Sequence, residues 1–325
     1  MADTFVDSEP RTLNPEPVLQ RRHPDWIKVR MPGGPGYTKT KAIVSAFKLN
    51  TVCQEAQCPN IGECWGHGTA TFMLMGEVCT RNCRFCAVSH GRVTTLDPEE
   101  PRRVAEAALK MGLSHIVVTS VNRDDLPDGG SLHFAETARA LKTLNPDCTI
   151  EVLTPDFQGN EDAVATVARS PIEIYNHNTE TVPRLYKHVR PGAKYERSLR
   201  VLQRAKEVRA DLKTKTGLML GLGETYEELL AVFGDLRAVG CDILTLGQYL
   251  RPSKEQLPVE RYVHPDEFAA LREGAVERTG FILAQPGAQV TRITATASTK
   301  WPVMAACAAM CAVSSSRISP MTMWK

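Results

Sequence analysis

Thr71-Phe-Met-Leu-Met-Gly-Glu-Val-Cys79-Thr-Arg-Asn-Cys83-Arg-Phe-Cys86 is the stretch on which the fold turns. Its first half, 71–76, is a short apolar run of strand length. Its second half carries three thiols with three residues, then two, between them. That spacing wraps one loop around a single metal centre and offers no local fourth ligand. A structural zinc site closes its tetrahedron with four protein ligands, and His67 or His90 would complete one. An iron–sulfur cube held by three thiolates instead keeps one iron open to another molecule. Phe85, between the last two cysteines, would screen such a cube from water.

Downstream the pattern becomes regular. Apolar, β-branched runs at 71–76, 114–120, 149–153, 172–176, 216–220 and 242–246 read as six strands. Between and after them, helical patterns occupy 98–111, 132–144, 161–169, the segment up to about 210, 226–239 and 265–279. Strands that are nearly all apolar and alternate with helices predict a parallel sheet covered by helices. Polar residues gather directly after the strand ends: Asn122, Asp124 and Asp125; His177 and Asn178; Glu224; Gln248 and Arg251. In barrels that rim carries the chemistry. The expected fold is therefore α/β, a partial (βα)6 TIM-type barrel with its metal loop after the first strand.

Upstream, a short helix is expected over 39–49. Cys53-Gln-Glu-Ala-Gln-Cys58-Pro-Asn-Ile-Gly-Glu-Cys64 follows, with four, then five, residues between its thiols. This second triplet also lacks a local fourth ligand, so two iron–sulfur sites, a zinc pair or buried thiols are all open at this point. Residues 1–22 are polar and proline-rich, an arm lying over something else. The resulting division is an N-terminal extension over 1–70, a barrel over 71–284 and an atypical tail over 285–325.

Composition narrows the function classes. The formal charge of +2 gives no support for nucleic-acid binding or for an anionic membrane surface. The apolar run 301–313 is too short to span a bilayer and contains Pro302. Ten cysteines in 325 residues, without an apolar leader, read as metal thiols in a reducing cytoplasm rather than as a disulfide scaffold. Gly221-Leu-Gly223-Glu224 is half of a dinucleotide fingerprint, but Tyr226 stands where the third glycine belongs. There is no P-loop, no H-E-x-x-H and no G-x-S-x-G, so nucleophilic hydrolysis has little support.

The three-thiol loop resembles the signature of radical S-adenosylmethionine enzymes. With both triplets considered, the chain resembles the lipoyl synthases over about residues 23–281. Arg123-Asp-Asp-Leu-Pro-Asp-Gly-Gly130, His177-Asn-Thr-Glu-Thr-Val182, Gly221-Leu-Gly-Glu224 and Gln248-Tyr-Leu-Arg-Pro-Ser253 extend the match along the barrel. The resemblance implies two [4Fe–4S] clusters. Cys79, Cys83 and Cys86 would hold the one that cleaves S-adenosylmethionine to a deoxyadenosyl radical. Cys53, Cys58 and Cys64 would hold an auxiliary cluster consumed as the sulfur donor. It also implies insertion of sulfur at C6 and C8 of an octanoyl chain. That chain is linked to a lysine of a lipoyl carrier, such as an H protein or a 2-oxoacid dehydrogenase lipoyl domain. An electron donor such as ferredoxin or flavodoxin is implied as well. Asn122, Asp124, Asn178 and Glu180 are the expected contacts to the cofactor's polar groups, with rim hydrogen bonding or helix capping as their plainer roles. Arg190 and Arg251 are candidates to attract an acidic carrier surface. Radical chemistry suits the substrate, because an unactivated methylene has neither an acidic proton nor a leaving group. Other radical sulfurtransferases and a zinc-stabilised binding module are the competing readings.

The chain departs from the family at its end. Lipoyl synthases carry an Arg-Ser-Ser-Tyr motif shortly after a Gly-Phe, and a serine of it ligates the auxiliary cluster. Gly280-Phe281 is present, but the region that follows reads Val290-Thr-Arg-Ile-Thr294. A shift of reading frame near residue 285 would account for this, and resequencing that end of the gene tests it.

Overall fold

The computed structural model describes residues 23–28, 31–279 and 282–283. The arm 1–22, Gly280-Phe281 and the tail from 284, including the position of the missing serine motif, lie outside the described residues.

The chain begins with α1 (Gly34–Ala46), β1 (Asn50–Thr51), α2 (Val52–Glu55) and α3 (Ile61–Gly66). Then come β2 (Thr71–Leu74), β3 (Val78–Cys79), β4 (Ser89–His90), α4 (Glu100–Met111), β5 (His115–Ser120), α5 (Ser131–Leu144), β6 (Thr149–Leu153) and α6 (Glu161–Ala168). The remainder is β7 (Ile174–Asn176), α7 (Tyr186–Val189), α8 (Tyr195–Val208), β8 (Lys213–Leu220), α9 (Tyr226–Ala238), β9 (Ile243–Gln248), α10 (Pro265–Thr279) and β10 (Ile282–Leu283). All six expected strands are present, as β2 and β5 to β9. The first helix starts earlier than expected, because the Gly33-Gly34-Pro35 run permits an entry turn with proline in the first helical turn.

Local chemistry sets the boundaries. Gly112 closes α4 at φ 68°, a left-handed cap that a glycine adopts without strain. Asn160 Oδ1 accepts from the Asp162 and Ala163 amides to open α6. Thr225 and Glu228 form a reciprocal capping box at α9. Asp128 accepts from the Gly130 and Leu132 amides at the start of α5.

The main sheet has the order β1-β2-β5-β6-β7-β8-β9-β10. Its neighbours from β2 onward are parallel, and β1 joins the edge antiparallel to β2, with Asn50 opposite Met73. Among the described residues β1 and β10 do not pair, so the sheet is an open, partial barrel. Solid burial of β2 and of Ile116 to Val118 matches strands covered on both faces. No described helix is long and apolar enough to cross a membrane.

The lower barrel holds a buried ion pair. Lys215 Nζ of β8 lies 2.9 and 3.0 Å from the two oxygens of Glu151 on β6, and both side chains are fully buried. Asn176 Nδ2 donates to the same carboxylate at 2.8 Å. Burial alone would push the Glu151 carboxyl up, but Lys215 and His115 hold it down at about 2. The pair ties β6 to β8 across β7.

Candidate iron–sulfur and cofactor site

Strand β2 stops because Met75 and Gly76 take left-handed φ values of 68° and 95°. A left-handed methionine is strained and needs support. Its amide donates to Glu100 Oε2 at 2.8 Å, and His133 Nε2 lies 2.7 Å from the same oxygen. The chain is thus turned out of the sheet into the three-thiol loop.

Backbone contacts fasten that loop on three sides. Its base is closed by β3 pairing with β4. Thr80 donates through both its amide and its hydroxyl to the Asn122 carbonyl, each at 3.0 Å. The Arg84 amide donates to Val189 O, and the Leu257 amide donates to Arg84 O. Gln256 Nε2 donates to Cys86 O at 3.3 Å.

At the mouth of the barrel lies a cavity of about 140 Å³. Cys79, Cys83 and Cys86 share its wall with Asn122, Asn178 and Glu180. Arg81, His177 and Arg190 also line it. Among the described residues, no three His, Cys, Asp or Glu side chains converge on a point fit for a single ion. The three thiols border one shared space. Burial pushes the Cys83 thiol up, against the charges of Arg190 and Arg81, and pushes the Cys86 thiol up to about 12. Both must lose their protons to bind metal.

Four polar atoms on this cavity's residues are buried without a hydrogen-bond partner: Ser120 Oγ, Asn122 Oδ1, Asn178 Oδ1 and Arg190 Nε. Orphaned buried polar atoms carry a desolvation cost that a bound group relieves. Two amide acceptors, a hydroxyl and a cationic donor match an amino-acid end, whose ammonium donates and whose carboxylate accepts. Together with three thiols on the same wall, the residues present fit a cube that carries S-adenosylmethionine.

Of the expected cofactor contacts, Asn122, Asn178 and Glu180 meet in this cavity. Burial pushes the Glu180 carboxyl up, with Arg190 opposing that shift. Asp124 stands elsewhere. Its two oxygens take Arg81 Nε and Nη2 at 2.6 and 2.9 Å, so its carboxylate is committed to the loop's own arginine. Arg190 is not a surface attractor. Its Nη1 donates to Asn178 O, Thr179 O and Tyr186 Oη. Arg251 is occupied too, donating through Nε to Gln256 O. Asp125 is bound by Arg123. Glu224 accepts from the Gly221 and Leu222 amides at 2.6 and 2.9 Å, and Gln248 Nε2 donates to Leu220, Tyr249 and Arg261 carbonyls. Glu224 and Gln248 therefore fix loops.

The sequence pattern does not single out Arg81, Thr154 or Asp156. Asp156 takes Arg81 Nη2 at 2.6 Å and Arg197 Nη1 at 3.1 Å. Thr154 O accepts from His177 Nδ1 at 2.9 Å, which fixes the proton on that nitrogen. His177 Nε2 then accepts from Ser198 Oγ, Ser198 Oγ accepts from Tyr186 Oη, and Tyr186 Oη accepts from Arg190 Nη1. The chain of donors runs one way and locks the arginine at the cavity wall.

The second triplet lies in the segment beside this cavity, and its own thiols do not line it. Cys53, Cys58 and Cys64 are all buried, and no disulfide joins any of the described cysteines. Val52 and Ala56, which flank Cys53 and the rest of α2, line the cavity. The α3 end is held where Thr40 Oγ1 donates to Trp65 O at 2.9 Å and Tyr37 packs on the Trp65 ring.

The chain matches a family profile for the radical SAM superfamily over residues 73–236. It matches the profile for the N-terminal domain of lipoyl synthase over residues 8–58. It is 53% identical over 283 residues to the lipoyl synthase of Rubrobacter xylanophilus, covering 86% of this chain and 88% of the relative. It is 59% identical over 256 residues to that of Thermus thermophilus, covering 78% and 79%. Among solved structures, methylornithine synthase superposes with a TM-score of 0.52 at 11% identity, over 71% of this chain and 73% of that one. That likeness concerns the fold alone. The two family profiles and the identity to these relatives over most of the chain lead to the same place: this chain belongs to the lipoyl synthase family of the radical S-adenosylmethionine superfamily.

Proposed function

We propose that Cys79, Cys83 and Cys86 hold the radical-generating [4Fe–4S] cluster and that Cys53, Cys58 and Cys64 hold the auxiliary one. The protein is a sulfurtransferase, a lipoyl synthase acting on octanoyl-lysine of a lipoyl carrier protein. The observation that carries the site assignment is the shared wall of one cavity, where three thiols stand beside partnerless Asn122, Asn178 and Arg190 atoms. When bound, the first cluster and S-adenosylmethionine supply hydrogen-atom abstraction at C6 and C8, and the second cluster supplies the two sulfurs.

The protein's own part is binding, orientation and exclusion of water. Asn122 Oδ1 and Asn178 Oδ1 accept from the cofactor's ammonium, with Glu180 as the nearby carboxylate. Arg190, held by Tyr186, takes the cofactor's carboxylate. Asp124 acts at one remove, by holding Arg81. Phe85, 6% exposed, shields the cluster face of the loop. The helix bearing Cys53 borders the cavity, so the sulfur source stands near the reacting carbon, which is the proximity such a transfer needs.

The finer assignments are also part of this reading. The carrier is an H protein or a 2-oxoacid dehydrogenase lipoyl domain. The reductant is a ferredoxin or flavodoxin, and the setting is the cytoplasm. The chain divides into the extension 1–70, the barrel 71–284 and the tail 285–325. The test is a dithionite-reduced, oxygen-free assay with an octanoyl-lysine peptide, read by mass spectrometry. Gains of one and two sulfurs, with 5′-deoxyadenosine, are expected. Deoxyadenosine without any sulfur gain would overturn the assignment of Cys53, Cys58 and Cys64 as a working sulfur donor in this chain.

A further inference from the structure

The three thiols of the radical site are not equally solvated by hydrogen-bond donors. Cys79 Sγ receives the Arg81 amide at 3.4 Å, the Asn122 amide at 3.3 Å and Asn122 Nδ2 at 3.7 Å. Cys86 Sγ has one such donor, the Val88 amide. Cys83 Sγ has none among the described residues. Two of the three donors on Cys79 belong to one residue, and that residue is locked in place. Thr80 donates twice to the Asn122 carbonyl, and the Asp124 amide donates back to Thr80 Oγ1.

We propose that Asn122 is a positioning residue that sets the reduction potential of the radical cluster through Cys79 Sγ. The inference rests on the assignment of Cys79, Cys83 and Cys86 to that cluster. Adding an electron to a cube places negative charge partly on its thiolate sulfurs. N–H donors stabilise that charge and make reduction easier. Asn122 contributes one donor from its backbone, which alanine or aspartate would keep, and one from its side chain, which neither would supply. Its Oδ1 remains buried without a partner, so the side-chain donor is aimed at sulfur while the acceptor is left for the cofactor.

The experiment is an EPR-monitored redox titration of the reconstituted holoenzyme, following the signal that responds to S-adenosylmethionine. Wild type is compared with Asn122→Ala and Asn122→Asp. Asn122→Ala removes the side-chain donor. Asn122→Asp removes it and adds negative charge beside the sulfur. The expected order of midpoint potentials is wild type, then Asn122→Ala, then Asn122→Asp as the most negative. At a fixed ambient potential the reduced-to-oxidised ratio should fall about threefold in Asn122→Ala, roughly 30 mV for a one-electron couple, and more than about tenfold in Asn122→Asp. Unchanged potentials in both variants, with iron retained, overturn the proposal. So does loss of iron from both, which makes Asn122 a loop-holding residue. Failure of the underlying assignment looks different: wild type itself would show no signal that responds to the cofactor.

Discussion

Arg81, set between Cys79 and Cys83, binds Asp124 through Nε and Nη2 at 2.6 and 2.9 Å. Its Nη2 also reaches Asp156 at 2.6 Å. The loop is thereby tied to the ends of two strands, β5 and β6. Asp156 is fully buried, whereas the Asp124 side chain is 25% exposed. Asp156→Asn should therefore cost about 3 kcal/mol or more, because it leaves buried arginine charge poorly compensated. Asp124→Asn should cost about 1 kcal/mol. Denaturant unfolding of both variants checks the ranking, and equal losses would show that exposure does not govern this pair.

The two thiol sets should separate by iron content and by reaction. Cys83→Ala should retain about four of about eight irons and lose cofactor cleavage altogether. Cys58→Ala should also retain about four irons, yet still yield 5′-deoxyadenosine from S-adenosylmethionine without sulfur transfer. Iron and sulfide analysis with product chromatography reads both. Full iron loading in either variant would break the assignment.

The sequence made the barrel legible because its strands are apolar runs of the right length, punctuated by Gly112, Asn160 and Thr225 at helix ends. It singled out the two cysteine triplets because their spacing is itself the signal. The cavity's polar wall was harder. Asp124 follows a strand end, as a ligand contact would, but Arg81 lies 43 residues away in sequence and only the folded chain shows that it takes the carboxylate. Arg190 reads as a solvent-exposed cation until Tyr186, Asn178 and Thr179 are placed around it. The helices α2 and α3 are too short for periodicity to reveal. What escapes is what long-range pairing decides.

The buried Glu151–Lys215 pair makes an asymmetric stability prediction. Lys215→Met should cost about 3–5 kcal/mol, since it leaves Glu151 charged or forces it to take up a proton inside the barrel. The double variant Glu151→Leu with Lys215→Met should be milder than either single change, because no charge is stranded. With the Glu151 carboxyl at about 2 against an ordinary 4.5, the unfolded chain binds the extra proton between those values. The pair's contribution is therefore complete above about pH 4.5 and is lost as pH falls towards about 2. Acid unfolding of wild type and the double variant, compared over that window, provides the measurement.

His177 works in a higher window. Burial, with Arg190 and Arg81 nearby, lowers it to about 4 from 6.5, despite the opposing charge of Asp156. Below pH 6.5 the unfolded chain takes a proton that the folded chain refuses, so stability declines as pH falls from about 6.5 to about 4. The loss from this group amounts to about 3 kcal/mol. His177→Gln, which cannot titrate, should flatten that part of the stability–pH curve. An unchanged slope would assign the acid sensitivity to another group.

The last prediction concerns Gly217, which lies in β8 beneath the cavity. A Cβ built there stands 2.8 Å from Asn178 Oδ1 and 3.2 Å from Thr245 Oγ1. The backbone of Gly217 is not left-handed, so alanine meets no conformational strain, and the conflict is purely one of space. Asn178 must give way, and its Oδ1 is one of the partnerless acceptors on the cavity wall. Cys79, Cys83 and Cys86 stand on a different loop and are not among the atoms that such a Cβ meets. Gly217→Ala should therefore keep its full iron content while its affinity for S-adenosylmethionine falls about tenfold, the worth of one lost charge-assisted hydrogen bond. Equilibrium binding of the cofactor to the iron-loaded variant decides the matter. Undiminished affinity would remove Asn178 from the cofactor contacts, whereas loss of iron would mean that the strain reaches the thiol loop as well.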